Sequence, residues 1–346
     1  MSTQTTDTTT TTAAPSPIRR LLSGSVGRNL GLVLALAVIF IVGTITDGSS
    51  FASLDNILVI LRQASVIGVI SIGMTFVILS GGIDLSVGSV MAFSTMACAW
   101  LTVEAGLPAN VVVPAVLIFG LLSGAFTGAI IHYFNVQPFI ATLSMMFLAR
   151  GLASVLSTTP ERLADESAIR TLATKWKIID GPKVNDLVVE PGVIIALLVV
   201  VAVFVMLHRT RFGRTIYALG GSEQSAQLMG LPVHRTKMAV YMISGTLSGV
   251  AAVVYTSRLG MAQNITGVGW ELDAIAAAVI GGTLLTGGAG YVLGSVIGAL
   301  VLGLMNVLIT RDGTIPPEAT TIITGCILLA FVVLQRVVSV KKASSG

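Results

Sequence analysis

RTRFGRTIYALGGSEQSAQLMGLPVHRTK, residues 209–237, lies between two long apolar segments. It carries Arg209, Arg211, Arg214, Arg235 and Lys237 against a single acid, Glu223, a strong excess of one charge sign. Basic loops between apolar spans stay on the cytoplasmic side of a membrane, so this loop orients the rest of the chain. Within it, Gly220-Gly221 breaks the chain and Ser222 is placed to cap a short helix from Glu223 to Met229. Glu223 in the first turn suits the positive end of the helix dipole, and Gly230 with Pro232 ends the helix. The stretch predicts a two-turn helix displayed at the cytoplasmic face, with Ala226, Leu228 and Met229 as its apolar contact residues. An ordinary surface loop is also basic, but rarely has so complete a start and stop.

Composition supports the membrane reading on either side of the loop. Hydrophobic residues make up 54% of the chain and charged residues 10%, whereas soluble domains carry about 25% charged residues. Apolar runs fall near 30–46, 57–80, 87–104, 111–132, 138–157, 190–208, 238–257, 272–285, 290–309 and 320–336. A helix needs about 20 residues to cross roughly 30 Å of hydrocarbon, so the shorter runs borrow flanking residues or start within the membrane. The expected fold class is therefore an all-α membrane protein of about ten transmembrane helices, both termini cytoplasmic, with a possible internal repeat. Residues 28–337 form the membrane domain, with 209–237 as its cytoplasmic loop. Residues 1–27 are a disordered cytoplasmic tail, Thr/Ser/Pro-rich at its start, and 338–346 a second cytoplasmic tail. The run after Arg28 lacks a small-residue cleavage site and reads as a retained first span.

The bases test this topology. Arg19, Arg20, Arg28, the bases of the central loop, Arg336, Lys341 and Lys342 fall inside. Arg258, Arg311 and the bases of the 158–189 loop fall outside, the latter balanced by Glu161, Asp165, Glu166, Asp180 and Asp186. A net charge of +4 does not suggest nucleic-acid binding, because the bases sit at span ends as topology signals. Cys98 and Cys326 lie inside apolar runs and read as small core residues, without disulfide or metal spacing.

Glycines recur four apart at Gly120, Gly124 and Gly128, at Gly245 and Gly249, and at Gly290, Gly294 and Gly298. That spacing puts them on one helical face, where neighbouring helices approach closely. The chain also aligns with itself: LSGGIDLSVGSV (79–90) matches LTGGAGYVLGSV (285–296) at both glycine pairs and at the closing Gly-Ser-Val. Transporters built from two halves place glycine-interrupted segments at corresponding positions along the transport path; coincidence in a Gly-rich chain is the rival. The repeat makes Ser80, Gly81, Gly82, Asp84, Ser86, Thr286, Gly287 and Gly288 candidate path residues.

Asp84 is the acid set deepest among the apolar runs, and a carboxylate at a helix centre costs about 2.5–3.5 kcal/mol on insertion scales. Two roles stand for it: capping the helix that starts at Leu85, or contact with a polar solute or a gate. Arg62 and Arg150 read as snorkelling or pairing near span ends, and His132, His208 and His234 as interfacial. The chain has no G-x-x-x-x-G-K-[ST], H-E-x-x-H, G-x-S-x-G or metal-spaced Cys/His cluster. It thus carries no catalytic residues, metal site or bound cofactor by this reading. Work done uphill must draw its energy from elsewhere, and the loop helix is the natural port.

GGIDLSVGSVMAF (81–93), YALGGSEQSAQLMGLPV (217–233) and GWELDAIAAAVIGGTLLTGGAGYVLGSVIGALVLG (269–303) resemble the membrane permeases of ribose-type sugar ABC importers. The resemblance runs from about Phe51 to Arg336. It implies a ten-helix permease, non-enzymatic itself, that pairs with a second permease subunit, identical or homologous, in the bacterial cytoplasmic membrane. It further implies a cytoplasmic ABC ATPase with two cassettes, which binds ATP-Mg, and a periplasmic protein that delivers the sugar. The loop helix becomes the coupling helix, with Ser222, Glu223, Ala226, Leu228, Met229 and Gly230 docking on the ATPase. MFLARGLAS, HRTRFG, ELDAIA, RDGT and LQR fall where galactofuranose-system permeases have similar strings. The substrate expected is a neutral monosaccharide, galactofuranose or a pentose such as ribose. A branched-chain amino-acid permease of the same superfamily, a permease for an autoinducer-like solute and a secondary carrier are the alternatives.

Overall fold

The computed structural model describes residues 25–174, 176–179, 187–312, 316, 319, 321–329 and 333. Both predicted tails, apart from the helical residues 25–27, lie outside the described residues, as do most of the charges assigned to them. The chain is largely helical. The helices are α1 (Ser25–Asp47), α2 (Leu54–Leu79), α3 (Val87–Val103), α4 (Ala109–Tyr133), α5 (Pro138–Leu156), α6 (Pro191–Arg209), α7 (Arg211–Gly221), α8 (Glu223–Leu228), α9 (Val233–Leu259), α10 (Trp270–Ile280) and α11 (Val292–Asp312). Residues 321–329 are also helical. Each predicted apolar run thus meets a helix where it is described. Among the described residues, six helices, α2, α4, α5, α6, α9 and α11, are long and apolar enough to cross a membrane.

α10 is the exception to the predicted run 272–285. It has 11 residues, about 16 Å at 1.5 Å per residue, or half a bilayer core. It ends early because Gly281-Gly282 turns the chain, with Gly282 at φ +86°. Two antiparallel strand pairs qualify the all-α expectation: β1 (Glu161–Arg162) with β4 (Met261–Ala262), and β2 (Trp176–Ile179) with β3 (Leu187–Val189). They lie in the connections α5–α6 and α9–α10, where the first pair ties the two connections together.

α2 stands at the centre. Ser53 caps it, accepting from the Asn56 N–H at 3.3 Å, and Asp55 occupies its first turn. From Val66 to Leu79 every residue is buried, as expected of a helix that is apolar on all sides and enclosed by others. α9 packs against α2, α3 and α4. The α4–α9 seam is made by the four-spaced glycines: a Cβ on Gly120 would strike the Gly245 carbonyl, and one on Gly245 the Gly120 carbonyl. A Cβ on Gly128 would lie 3.0 Å from the Met238 Cα. Gly294 and Gly298 set α11 against Gly281 and Ala277 in the same way. Close backbone approach is what small residues give helix pairs in lipid, where no hydrophobic force draws helices together.

Large apolar side chains cover the outer helix faces: Ile118, Leu122 and Phe126 on α4, Phe147 and Val155 on α5, Leu197, Leu198 and Val201 on α6. A water-facing surface rarely keeps stripes this continuous, and a bilayer is the solvent that suits them. Some of the charges near helix ends are paired. Arg62 meets Glu190 at 3.0 Å, with Arg258 donating to the Arg62 carbonyl at 2.9 Å, and Arg311 meets Asp47 at 2.9 Å. Cys98 is buried as expected, whereas Cys326 is exposed on the chain's surface rather than in its core.

Candidate functional site

The loop helix forms as its sequence directs, with small shifts in its bounds. Thr210 caps α7, accepting from the Gly213 N–H at 3.2 Å. Gly220-Gly221 does not break the chain: α7 runs through both, and the turn comes at Ser222, whose backbone is extended. The Ser222 hydroxyl then caps α8, accepting from the Ser225 N–H at 3.2 Å. α8 ends at Leu228, one residue before the predicted end. Met229 is its C-cap, and Gly230 follows at φ +72°.

The predicted contact residues divide. Ala226 is fully buried among Leu219 and Val233, so it anchors α8 to its own chain. Leu228 is 89% exposed and Met229 65%. Glu223, expected to act through the helix dipole, also holds Lys237 of α9 with both carboxylate oxygens, at 2.6 and 2.7 Å.

The two glycine breaks meet each other directly under this loop. The Gly288 N–H donates to the Leu79 carbonyl at 3.0 Å. Gly81 has φ +82° and Gly287 φ +85°, left-handed values that favour glycine. A Cβ on Gly287 would lie 3.0 Å from both the Gly81 nitrogen and the Gly220 carbonyl oxygen. A Cβ on Gly220 would collide with the Leu79 carbonyl oxygen and the Gly288 nitrogen. Three glycine pairs, 81–82, 220–221 and 287–288, therefore converge at one junction. The Tyr217 hydroxyl donates to the Gly290 carbonyl at 2.8 Å; burial, helped by Tyr291, pushes its pKa up to about 12. Ser80 is half-buried beside the junction, its hydroxyl on the Val77 carbonyl at 2.8 Å, and Thr286 is exposed at its rim. Each break carries a left-handed glycine, Gly81 and Gly287, and leads into a helix, α3 and α11, but only in the second is the next glycine, Gly288, left-handed as well. Before the breaks the segments differ, since α2 reaches Leu79 but α10 stops at Ile280.

Asp84 does not cap a helix starting at Leu85. α3 begins at Val87 with Ser86 as its N-cap residue. The Asp84 carboxylate is buried and accepts three hydrogen bonds: from the Ser86 N–H at 2.9 Å, the Ser86 hydroxyl at 2.6 Å and the Ser244 hydroxyl at 2.7 Å. The last partner lies on α9, far along the chain, and local sequence gives no sign of it. Tyr241, one turn before Ser244, packs its buried hydroxyl against Gly82. Arg150 donates to the Asn264 and Thr266 carbonyls at 3.0 and 2.7 Å. The His132 and His234 rings sit 4.1 Å apart, and His208 stacks over Tyr291. Among the described residues, no group of three or more His, Cys, Asp or Glu side chains is arranged to hold a metal ion.

Residues 56–332 match the family described as branched-chain amino acid transport system / permease component. The fructose import permease protein FruG of Bifidobacterium longum is 47% identical, over 95% of this chain and 97% of its own length. The inner membrane ABC transporter permease protein YjfF of Escherichia coli is 40% identical, over 89% and 92% respectively. The ribose import permease protein RbsC of Haemophilus influenzae is 43% identical, over 80% and 82%. No solved structure matches the chain.

Proposed function

The chain belongs to the family of branched-chain amino acid transport system permease components, and on that premise we propose that it is the membrane-spanning subunit of an ATP-driven sugar importer. Its cargo is a neutral monosaccharide, a pentose such as ribose or a hexose such as fructose or galactofuranose, moved inward across the bacterial inner membrane. The observation that carries this reading is the pairing of sugar-permease relatives over nearly the whole chain with a capped, exposed helix at the junction of two glycine breaks. The import permeases for fructose and ribose named above are the relatives in question.

In this account α8 is the coupling helix and receives a cytoplasmic ATPase with two cassettes; hydrolysis of ATP-Mg takes place there and not on this chain. Leu228 and Met229 supply its apolar contact, Glu223 and Ser222 its charge and cap, and Ala226 and Gly230 hold it in place. The junction around Ser80–Gly82, Asp84, Ser86 and Thr286–Gly288 lies on the translocation path. A second permease subunit completes the membrane unit, and a periplasmic binding protein delivers the sugar. Neutral cargo accords with the charge pattern: Asp84 is already engaged by Ser86 and Ser244, and Arg62 by Glu190. A zwitterionic amino acid would call for uncommitted charges of both signs along the path.

Affinity purification of the tagged full-length chain from its native membrane tests the assembly. It should bring down an ATPase with two cassettes and vanadate-sensitive ATP hydrolysis. Recovery of the chain alone from mild detergent, with uptake of its sugar abolished by proton uncouplers, would instead identify a secondary carrier.

A further inference from the structure

Lys237, Tyr241 and Ser244 are spaced four and three residues apart on α9, so they lie along one face. They span about 10 Å of helix, at 1.5 Å per residue. Each holds a different part of the same machinery. Lys237 grips Glu223 at the first residue of α8. The Tyr241 hydroxyl occupies the space where a Gly82 side chain would stand, a Cβ there also lying 3.3 Å from Val77 Cγ1. Ser244 donates to the Asp84 carboxylate at 2.7 Å.

We propose that this face of α9 is a strut that transmits displacement of α8 to the Gly81–Ser86 break, with Lys237, Tyr241 and Ser244 as its positioning residues. The proposal rests on the reading of α8 as the ATPase-facing helix. The loop reaches that break twice. At its α7 end, Gly220 lies against the Leu79 carbonyl and Gly288. At its α9 end, the strut bears on Gly82 and Asp84. A helix tethered at both ends to one break cannot shift without changing it. The ion pair is only partly exposed, with 22% of the Lys237 side chain and 43% of the Glu223 side chain accessible. α9 is buried at Tyr241 and Ser244, and a helix packed so has few ways to absorb a shift except by moving as a body.

The arrangement also explains two residue choices that α8 docking alone does not. Gly82 lacks the positive φ of Gly81 and is small because Tyr241 fills its place. The carboxylate at Asp84 has two oxygens to satisfy, and it holds Ser86 with one and Ser244 with the other. The two oxygens thus face different elements, one toward Ser86 at the start of α3 and the other toward Ser244 on α9.

Hydrogen exchange of the full-length chain in lipid nanodiscs, without ATPase or sugar, tests the strut. Its failure would therefore leave the transport reading standing, and failure of transport would leave the strut standing. The readout is amide exchange at residues 80–86, read against residues 66–78 of α2. Lys237→Gln and Glu223→Gln should each speed exchange at 80–86 by about threefold or more, with 66–78 unchanged, as expected of a local rather than global opening. Lys237→Arg, which keeps the charge, and the swap Glu223→Lys with Lys237→Glu should restore the wild-type rate. Arg235→Gln, exposed in the first turn of α9, should have no effect. Glu223 lies on the surface, so Glu223→Gln decides the matter if Lys237→Gln loosens the whole of α2. Wild-type exchange at 80–86 in Glu223→Gln, or failure of the charge swap to restore it, overturns the proposal.

Discussion

Replacing Leu228 and Met229 together with Asp probes the proposed coupling surface with little risk to the fold. Both side chains are mostly exposed, at 89% and 65%, and neither belongs to the small cluster of Leu219, Ala226 and Val233 that fastens α8. Burying a Leu or Met side chain contributes about 1.5–3 kcal/mol. If both are covered on docking, the double substitution removes about 3–6 kcal/mol, a loss of roughly 10²–10⁴-fold in affinity. Two carboxylates forced into an apolar groove add to that loss. The assay is titration of the purified ATPase onto the permease in nanodiscs, alongside a thermal scan of the permease alone. The thermal midpoint should stay at the wild-type value while affinity falls by at least the lower bound. Wild-type affinity with unchanged permease stability would refute the assignment of α8 as the docking helix.

Four further outcomes concern other parts of the structure. Asp84→Ala leaves the Ser86 and Ser244 donors without their acceptor, at about 1–3 kcal/mol for each buried group left unpaired. Its thermal midpoint in detergent should fall well below that of Asp84→Asn, which keeps an oxygen acceptor; equal midpoints would remove Asp84 from its bridging role. Gly124→Val drives a side chain into the Tyr241 backbone and should destabilise the α4–α9 seam by about 1–3 kcal/mol. Gly151→Ala, with open space around its Cβ position, should instead gain up to about 1 kcal/mol, both read by denaturation midpoints. A single cysteine at Ser222 should react with an impermeant maleimide only from the cytoplasm, and one at Ser167 only from the opposite side; the reverse pattern would invert the topology.

What was legible in the chain is what local chemistry decides. The start and stop signals of α8, Ser222 and Gly230, lie within a few residues of the groups they serve, so the prediction missed its end by one residue. Four-spaced glycines announced close helix approach, because spacing on one face is a property of a single helix. Which helices they join was not legible: Gly120 meets Gly245 across a long stretch of chain, and nothing local names the partner. Asp84 shows the same limit. By its place in the sequence Asp84 can cap a helix from Leu85, yet the carboxylate accepts from Ser86 and from Ser244, which only the packing of α9 brings near. Leu284 and Leu285 continue the apolar pattern beyond Gly281-Gly282, so the pattern alone extends α10 past its real end at Ile280. The repeat signalled two equivalent glycine breaks but not that they would touch, since contact between halves is a property of the assembled bundle. By polarity alone Ala226 reads as a docking residue, whereas it is buried with Leu219 and Val233, where its small size lets α8 lie close.

The central claim, that this chain carries a neutral sugar inward on energy received from a separate ATPase, is tested most directly by transport in proteoliposomes. The full-length chain is reconstituted with its ATPase and binding protein, and entry of labelled ribose, fructose and galactofuranose is followed with and without ATP on the ATPase side. The account predicts accumulation of at least one of these sugars that requires ATP, the ATPase and the binding protein together, and that Leu228→Asp with Met229→Asp abolishes. Accumulation that persists without the ATPase and follows an imposed ion gradient would contradict it.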